Sequence, residues 1–147
     1  MEVRRESFTI SDEPARLDRA LIHRFLAGSY WAKGIPRDVV DRSIEGSLAF
    51  GVYEGDAQVG FARAISDFAT YAYVADVFVL ESHRGRGLAL WLMETMRAHP
   101  RLQGIRRWNL VTRDAHALYR RVGFRDVENP SRYMEMVDRE IYTRGRA

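Results

Sequence analysis

Between an apolar run and an amphipathic run, the chain reads VLESHRGRGLA from Val79 to Ala89. The apolar run, Tyr71 to Leu80, is broken only by Asp76, a pattern typical of a buried strand. The run that follows has apolar residues at helical spacing and predicts an amphipathic helix over Gly87 to His99, ended by Pro100. The sequence therefore predicts a strand, a glycine-rich turn and a helix in direct succession.

This turn has the composition of an anion site. The first amides of a helix have no partner within the helix and carry partial positive charge, so they attract phosphate. Gly85 and Gly87 remove side chains that would keep a phosphate away, and Arg84 and Arg86 add positive charge. We therefore expect residues 84–89 to bind a pyrophosphate.

The two common nucleotide-binding motifs do not match the turn. A P-loop requires G-x-x-x-x-G-K-[ST], which the chain lacks. The dinucleotide fingerprint G-x-G-x-x-G has Leu90 where its third glycine belongs. A helix cap that only needs glycine remains an alternative, although it does not account for the two interleaved arginines.

The remaining segments alternate between strand and helix patterns. The other expected strands are Val3–Ile10, Ser47–Tyr53, Gln58–Ile65, Arg107–Thr112 and Tyr133–Val137. Three other helices are expected. The first starts near Pro14 and reaches Ala27, the second runs from Arg37 to about Glu45, and the third is a short helix around Ala115–Val122. This order predicts one mixed sheet with helices on both faces.

Composition bounds the class of protein. The chain has 147 residues, 46% of them hydrophobic and 29% charged, which fits one globular domain over residues 1–147. It has no cysteine, so disulfides, thiolate metal sites and a cysteine nucleophile are excluded. The four histidines lack metal-ligand spacing, and we expect no metal. A net charge of +3 with scattered basic residues predicts no nucleic-acid partner, and the absence of a long apolar run predicts a cytoplasmic protein without a membrane span.

Two motifs resemble the GNAT superfamily of N-acetyltransferases. RGRGLA at Arg84–Ala89 matches the family's cofactor motif [QR]-x-x-G-x-[GA], and AHALYRRVGF at Ala115–Phe124 is similar to its A-x-x-L-Y-x-x-x-G-F block. The resemblance extends from about Val3 to Val137. It implies an α/β fold of mixed α+β type, with a central, mostly antiparallel sheet, helices on both faces, and a splayed parallel pair formed by Tyr71–Leu80 and Arg107–Thr112.

The resemblance also implies the cofactor, acetyl-CoA, and where it binds. Its pantetheine arm would pair with backbone groups at Phe78 and Val79. Thr112 stands where the family often has asparagine, and its hydroxyl can still hydrogen-bond the cofactor arm. The pyrophosphate would lie on the turn, whose residues are Arg84, Gly85, Arg86, Gly87, Leu88 and Ala89.

Two residues are candidates for proton transfer. Tyr119 lies in the second block, where the resemblance implies an acid that protonates the leaving thiolate; a core tyrosine on a short helix is the alternative. Asp76 interrupts the apolar strand, where a regular strand would give it a face shared with Val74 and Phe78. A partly desolvated carboxylate there suits a general base, and a hydrogen-bonded structural aspartate is equally open.

The acceptor is less defined by the sequence than the donor. The resemblance implies direct attack by an amine, without an acyl-enzyme, and a substrate-lining role for the loop that carries Tyr30 and Trp31. Trp31 as a plug of the core is the alternative. A primary amine of a small molecule or peptide is the expected acceptor, and a homodimer is compatible with the family. A non-catalytic acyl-CoA sensor and a donor other than acetyl-CoA are competing functions.

Overall fold

A computed structural model describes residues 1–144, so residues 145–147 of the expected single domain lie outside the described part. Six strands form one sheet in the order β1-β2-β3-β4-β5-β6, antiparallel except for the parallel β5/β6 pair. The strands are β1 Glu2–Arg5, β2 Phe8–Ser11, β3 Leu48–Glu54, β4 Ala57–Ser66, β5 Tyr71–Val79 and β6 Arg107–Asn109, and the helices are α1 Arg19–Ala27, α2 Arg37–Glu45, α3 Leu88–Ala98 and α4 His116–Arg120. The mixed α/β fold with a splayed parallel pair is confirmed.

The sheet separates two hydrophobic clusters. On one face, α3 places Leu92, Met93 and Met96 against Phe50 and neighbouring strand residues. On the other face, α1 and α2 enclose a second cluster that contains Ile22, Leu26, Val40, Ile44, Phe61 and Phe78. Helices therefore cover both faces, as the alternation of strand and helix patterns predicts.

Most predicted elements appear within two residues of their expected bounds, but the N-terminal region does not. The single strand expected over Val3–Ile10 is wrong: β1 and β2 form a hairpin instead. Glu6 takes a left-handed φ of 55° at the turn. Because the turn contains no glycine, asparagine or aspartate, the sequence lacks the usual hairpin signal.

The first helix starts later than expected. Pro14–Arg16 forms only a 3-10 turn, and α1 begins at Arg19. Asp18 is the cap, since its carboxylate accepts the Leu21 amide at 3.0 Å. Its own amide donates to the Gln58 side chain at 2.7 Å, a contact between segments far apart in the chain. Such a contact cannot be predicted from local pattern.

The strands at the far edge are shorter than expected. β5 and β6 pair only from Tyr71 to Tyr73 against Arg107 to Asn109, and then separate. β6 therefore ends at Asn109 rather than Thr112, because no neighbour remains to pair with it. The expected last strand, Tyr133–Val137, is wrong for the described chain: the segment forms no strand there.

A β-bulge in β5 changes which side chains share a face. Arg63 pairs with Ala75 and Phe61 with Phe78, so two residues of β5 stand opposite one of β4. Asp76, at the bulge, has a φ of 57°. Val74 consequently joins the cluster under α3 while Phe78 joins the cluster under α1 and α2. The expected common face of Val74 and Phe78 is wrong because a bulge breaks the period of two.

Candidate functional site

The glycine-rich turn has the backbone that anion binding needs. Gly85 and Gly87 have φ values of 78° and 74°, a region that side chains rarely adopt. Gly87 precedes α3, and no side chain caps that helix. A Cβ at Gly85 would meet nothing within 4 Å, so the turn is open. The uncapped amides at the start of α3 are therefore available to an anion.

Arginines surround this turn. Arg84 folds back, and its Nε donates to the Val79 carbonyl at 3.1 Å. Arg86 is about half exposed, with its Nη1 4.0 Å from Glu54. Arg5 also reaches the turn, donating to the Gly87 carbonyl at 3.4 Å and lying 4.8 Å above the Trp91 ring. Sequence reasoning missed Arg5, because a contact across 82 residues leaves no local signal.

The splay between β5 and β6 opens next to the turn. Phe78 is 4% exposed, and its ring stacks on Phe25 at 3.9 Å, so only its backbone can serve a ligand. Val79 is also buried, and its carbonyl already accepts from Arg84. Thr112 lies past the end of β6, where its Oγ1 accepts the Ala115 amide at 3.0 Å. Its hydroxyl hydrogen remains free to donate to a ligand.

Tyr119 lies on α4 and is 9% exposed. Burial raises the pKa of its phenol to about 12, with a smaller contribution from Tyr30. Its ring packs edge-on against Phe124, with centroids 6.0 Å apart. Within residues 1–144 the hydroxyl has no hydrogen-bond partner, and it lines an open groove. The phenol is therefore fully protonated at neutral pH, and its hydroxyl can donate a hydrogen bond to a ligand in the groove.

Asp76 is held by two donors from different elements. Its Oδ2 accepts from the Arg63 Nε at 2.7 Å, and its Oδ1 accepts from the Trp31 Nε1 at 2.9 Å. The side chains of Asp76 and Arg63 are 10% and 15% exposed. The carboxylate thus ties β4, β5 and the α1–α2 loop together. Arg63 is a second residue that sequence reasoning missed.

The α1–α2 loop exposes its aromatic residues. Tyr30 is 54% exposed and Trp31 is 42% exposed, so Trp31 does not plug the core. Their rings meet edge-on with centroids 5.2 Å apart. The Arg113 guanidinium lies 3.8 Å from the Tyr30 ring centroid, and it too was missed. One chain of contacts therefore joins Arg113, Tyr30, Trp31 and Asp76.

A groove of about 530 Å³ lies beside the parallel strand pair, lined by Tyr71 and Tyr73 of β5 and by residues 108–112 at and past the end of β6. The turn at 84–89 does not line it, so the groove and the anion site are separate features. Aromatic side chains dominate its wall. Its residues include Tyr73, Trp108, Thr112, Tyr119, Phe124 and Tyr133.

Residues 1–144 contain neither a metal-ligand cluster nor a helix that could span a membrane. In this part of the chain, no group of three or more histidine, aspartate or glutamate side chains could hold a metal ion. No helix in the same range is long and apolar enough to cross a membrane.

The fold, a mostly antiparallel sheet with one parallel pair and helices on both faces, is that of an acetyltransferase. The family model for the acetyltransferase (GNAT) domain matches residues 45–126, which include β3 to α4 and the turn. This match covers more than half of the chain. The chain belongs to the GNAT acetyltransferase family, and it is an acetyltransferase.

Individual relatives agree with this assignment. One similar protein, from Xanthomonas campestris pv. campestris, is described as an acetyltransferase of the GNAT family, and its sequence is 48% identical to this chain. Its crystal structure superposes on this chain with a TM-score of 0.90, and the match covers 92% of this chain and 96% of that chain. A protein of Gibberella zeae, assigned by name as an acetyltransferase, is 29% identical over 83% of this chain and 81% of its own length. A predicted acetyltransferase from Clostridium acetobutylicum, solved with acetyl-CoA, shares the fold at 15% identity and a TM-score of 0.64, covering 88% of this chain and 94% of its own.

Proposed function

We propose that this acetyltransferase moves the acetyl group of acetyl-CoA to a primary amine by direct attack of that amine on the thioester. The observation that carries the proposal is the uncapped start of α3 behind Gly85 and Gly87, directly after a strand that separates from its parallel neighbour. The helix amides suit a pyrophosphate, and the splay leaves backbone groups for an extended arm. The Clostridium acetobutylicum neighbour, which holds acetyl-CoA on the same fold, supports this donor.

In this proposal the turn binds the pyrophosphate and β5 binds the pantetheine. The pyrophosphate accepts hydrogen bonds from the amides that begin α3, at Leu88 and Ala89, while Arg84 and Arg86 supply charge. The arm pairs with backbone at Phe78 and Val79, and the Thr112 hydroxyl donates to it. Arg5 adds a third positive charge beside the turn.

Tyr119 is the proposed acid, and its pKa limits what it does. A phenol with a pKa of about 12 does not transfer its proton completely to a thiolate whose conjugate thiol has a pKa of roughly 8.5. The phenol instead donates a hydrogen bond to the sulfur as negative charge develops there and keeps its own proton, while the leaving thiolate takes up, through solvent, the proton that the attacking amine loses. Its unpartnered hydroxyl in the groove is consistent with this role.

Asp76 is the proposed base, and its hydrogen bonds give it a second role in positioning Trp31. Its two oxygens already accept from Arg63 and Trp31, so one lone pair on each oxygen is left for an amine proton. The same bonds hold Trp31 at the mouth of the site. Tyr30 and Trp31 would then pack against the apolar part of the amine, a small molecule or a peptide.

The test is turnover of a Tyr119→Phe variant, read as free thiol released from acetyl-CoA in a screen of amines. We expect kcat to fall about 100-fold or more while the Kd for CoA, measured by calorimetry, stays within twofold. Tyr71→Phe is the matched control, because Tyr71 lines the same groove and its variant should keep full turnover. Equal activity of both variants would remove Tyr119 from the mechanism.

The same assay separates the competing functions. A chain that binds acetyl-CoA but releases no thiol with any amine would be a sensor of the cofactor, and a preference for another CoA thioester would change the donor. The cytoplasmic location and the single domain over residues 1–147 remain part of this proposal. Fractionation of producing cells and limited proteolysis test them.

A further inference from the structure

A second cavity, of about 700 Å³, lies at the C-terminal end of α3, away from the turn at 84–89. Its wall consists mostly of charged and amide side chains, and five arginines line it: Arg97, Arg106, Arg107, Arg125 and Arg132. We call this cavity the arginine basin. The helix between Gly87 and Arg97 separates the basin from the turn by about 15 Å, so the basin is not part of the proposed pyrophosphate site.

Positive charge is concentrated in the segments that build the basin. Nine arginines and three acidic residues lie between Arg97 and Arg132, which gives this quarter of the chain a charge of +6. The whole chain carries only +3, so its other residues are net negative. A concave surface with one sign of charge attracts oppositely charged ligands. The basin therefore favours an anion.

Most guanidinium groups of the basin have no counter-charge. Among the described residues 1–144, four of the five make no ion pair with a carboxylate: Arg106, Arg107, Arg125 and Arg132. By contrast, Arg19 of α1 and Arg37 of α2 share the carboxylate of Asp41. Like charges placed side by side repel one another, and a bound anion would remove that cost.

The acidic residues in the wall do not neutralise the basin. Asp126, one of the two, already binds Arg120 at 2.8 Å, so one carboxylate is left against five arginines. Arg97 is held in place, because its Nη1 donates to the Val122 carbonyl at 2.8 Å and its guanidinium lies 5.1 Å from the Trp108 ring centroid. The basin thus combines one positioned arginine with four that are free to bind a ligand.

The basin adjoins the groove that Tyr119 lines. Seven residues line both cavities: Trp108, Asn109, Phe124, Arg125, Asp126, Val127 and Tyr133. The groove also reaches Thr112, and the next residue, Arg113, lies against the Tyr30 ring of the α1–α2 loop. A continuous path therefore leads from that loop, past Tyr119, to the arginines. From Thr112 to Arg107 this path measures about 16 Å for an extended chain.

We propose that the acceptor is a peptide with anionic side chains, and that the arginine basin binds those side chains while the amine lies in the groove beside Tyr119. This inference rests on the proposed function, because it names the acceptor class of the same site. A path of about 16 Å corresponds to about five extended residues, so the anionic side chains should lie about three to five residues from the amine. Guanidinium groups bind carboxylate and phosphate alike, and either group can supply the charge.

The first test measures peptide binding without turnover, by fluorescence anisotropy. Four hexapeptides with an uncharged C-terminal fluorophore each begin with a free amine and three alanines, and end in three copies of glutamate, phosphoserine, glutamine or lysine. We expect the glutamate and phosphoserine peptides to bind about 10-fold more tightly than the glutamine peptide, and to weaken as salt is raised. Tighter binding of phosphoserine than of glutamate would identify phosphate as the source of the charge. Equal Kd values for the glutamate, phosphoserine and glutamine peptides overturn the proposal.

The second test reverses the charge of the basin. In the double variant Arg106→Glu/Arg132→Glu, the glutamate peptide should bind about 10-fold more weakly and the lysine peptide about 10-fold more tightly than in the unmodified chain. Both side chains are exposed and make no ion pair among residues 1–144, so the variant should fold, which thermal unfolding verifies. Arg24→Glu/Arg42→Glu is the control, because it makes the same charge change on α1 and α2. An equal effect of the control would show that the peptides respond to net charge alone, and it would overturn the proposal.

The third test is acetylation of the same peptides, read as free thiol released from acetyl-CoA. The KM of the glutamate peptide should lie about 10-fold below that of the glutamine peptide with little change in kcat, because the basin contacts a part of the acceptor that does not react. Thiol release with small amines but with none of the peptides overturns this inference and leaves the proposed function intact. Thiol release with no amine contradicts the proposed function, whereas the two binding tests decide on the basin independently of turnover.

Discussion

The two halves of the site are built in different ways. The proposed donor half is mostly local: a strand, the turn at 84–89 and α3 follow one another along the chain, and Arg5, Glu54 and Thr112 come from other parts of the sequence. The acceptor half joins the α1–α2 loop to β4, β5 and the segment before α4 through Trp31, Asp76, Arg63 and Arg113. Local backbone signals therefore suffice to locate the proposed donor site, whereas the proposed acceptor site depends on side chains that meet only after folding.

This difference has a consequence for evolution and design. A turn whose function lies in backbone amides tolerates change in the surrounding side chains as long as glycine keeps the required φ. A site held by one carboxylate between a guanidinium and an indole depends on each member. Substitutions in the acceptor half should thus alter stability and acceptor affinity together, whereas those in the donor half should alter CoA affinity.

The largest effect is expected for Arg63→Met, which leaves the mostly buried Asp76 carboxylate without its ion-pair partner. We expect the free energy of unfolding in urea to fall by about 3 kcal/mol. The KM for the amine should rise as well, because Asp76 also holds Trp31.

Arg120→Met is the matched control for this prediction. The Arg120–Asp126 pair is as short, at 2.8 Å, but its side chains are 54% and 82% exposed. Its loss should cost less than about 1 kcal/mol. Similar costs for both variants would show that Asp76 does not tie the acceptor half together.

Gly87→Val should break the donor half. A β-branched residue at a φ of 74° is strained, and its side chain would stand beside the amides that begin α3. We expect the Kd for CoA, measured by calorimetry, to rise about 10- to 30-fold, or roughly 1.5–2 kcal/mol. Gly55→Val carries similar strain at a φ of 61° in the β3–β4 turn. It should lower stability but leave CoA affinity unchanged, and an equal loss of affinity there would point to strain rather than to the anion site.

The variants Trp31→Phe and Arg5→Ala together test whether the proposed donor and acceptor halves are independent, because each variant changes one half only. Trp31→Phe removes the indole donor to Asp76 and should raise the KM for the amine about 5- to 10-fold, the cost of one typical hydrogen bond. Arg5→Ala should instead raise the Kd for CoA about 3-fold. Steady-state kinetics with both substrates varied, together with calorimetry for CoA, measure these constants. A change in both the KM for the amine and the Kd for CoA in either variant would show that the two halves are coupled.

The smallest effect concerns a scaffold contact outside both halves. Burial alone would raise the pKa of Asp12, but hydrogen bonds from the N-terminal amine and His99 outweigh it and hold the pKa below 3.8. A lowered pKa in the folded state contributes stability above pH 3.8 that is lost as the pH falls through the folded value. In the Asp12→Asn variant, the free energy of unfolding should therefore fall less steeply below about pH 4. At pH 7 the same substitution should lower that free energy by less than about 1 kcal/mol. Thermal unfolding from pH 3 to 7 measures this, and an unchanged acid slope would contradict it.

Local patterns were reliable where one segment forms its own structure. The α2 helix at Arg37–Glu45 and the hairpin turn at Gly55 could be predicted, because apolar spacing and turn residues determine them. The hairpin turn at Glu6 could not, since tertiary pairing of β1 with β2 forces a left-handed glutamate. The last strand failed for a related reason: a strand needs a neighbour, and Tyr133–Val137 has none in its own described chain.

The sequence by itself determined the glycine-rich turn and the uncapped start of α3, on which the proposed donor site rests, because helix periodicity and the glycines Gly85 and Gly87 are local features. Only the tertiary structure decided the contacts of the proposed acceptor side. The bulge at Asp76 and its hydrogen bonds to Arg63 and Trp31 arise from contacts between segments that are separate in the sequence. Such contacts are selected by packing of the whole domain, and no local pattern encodes them.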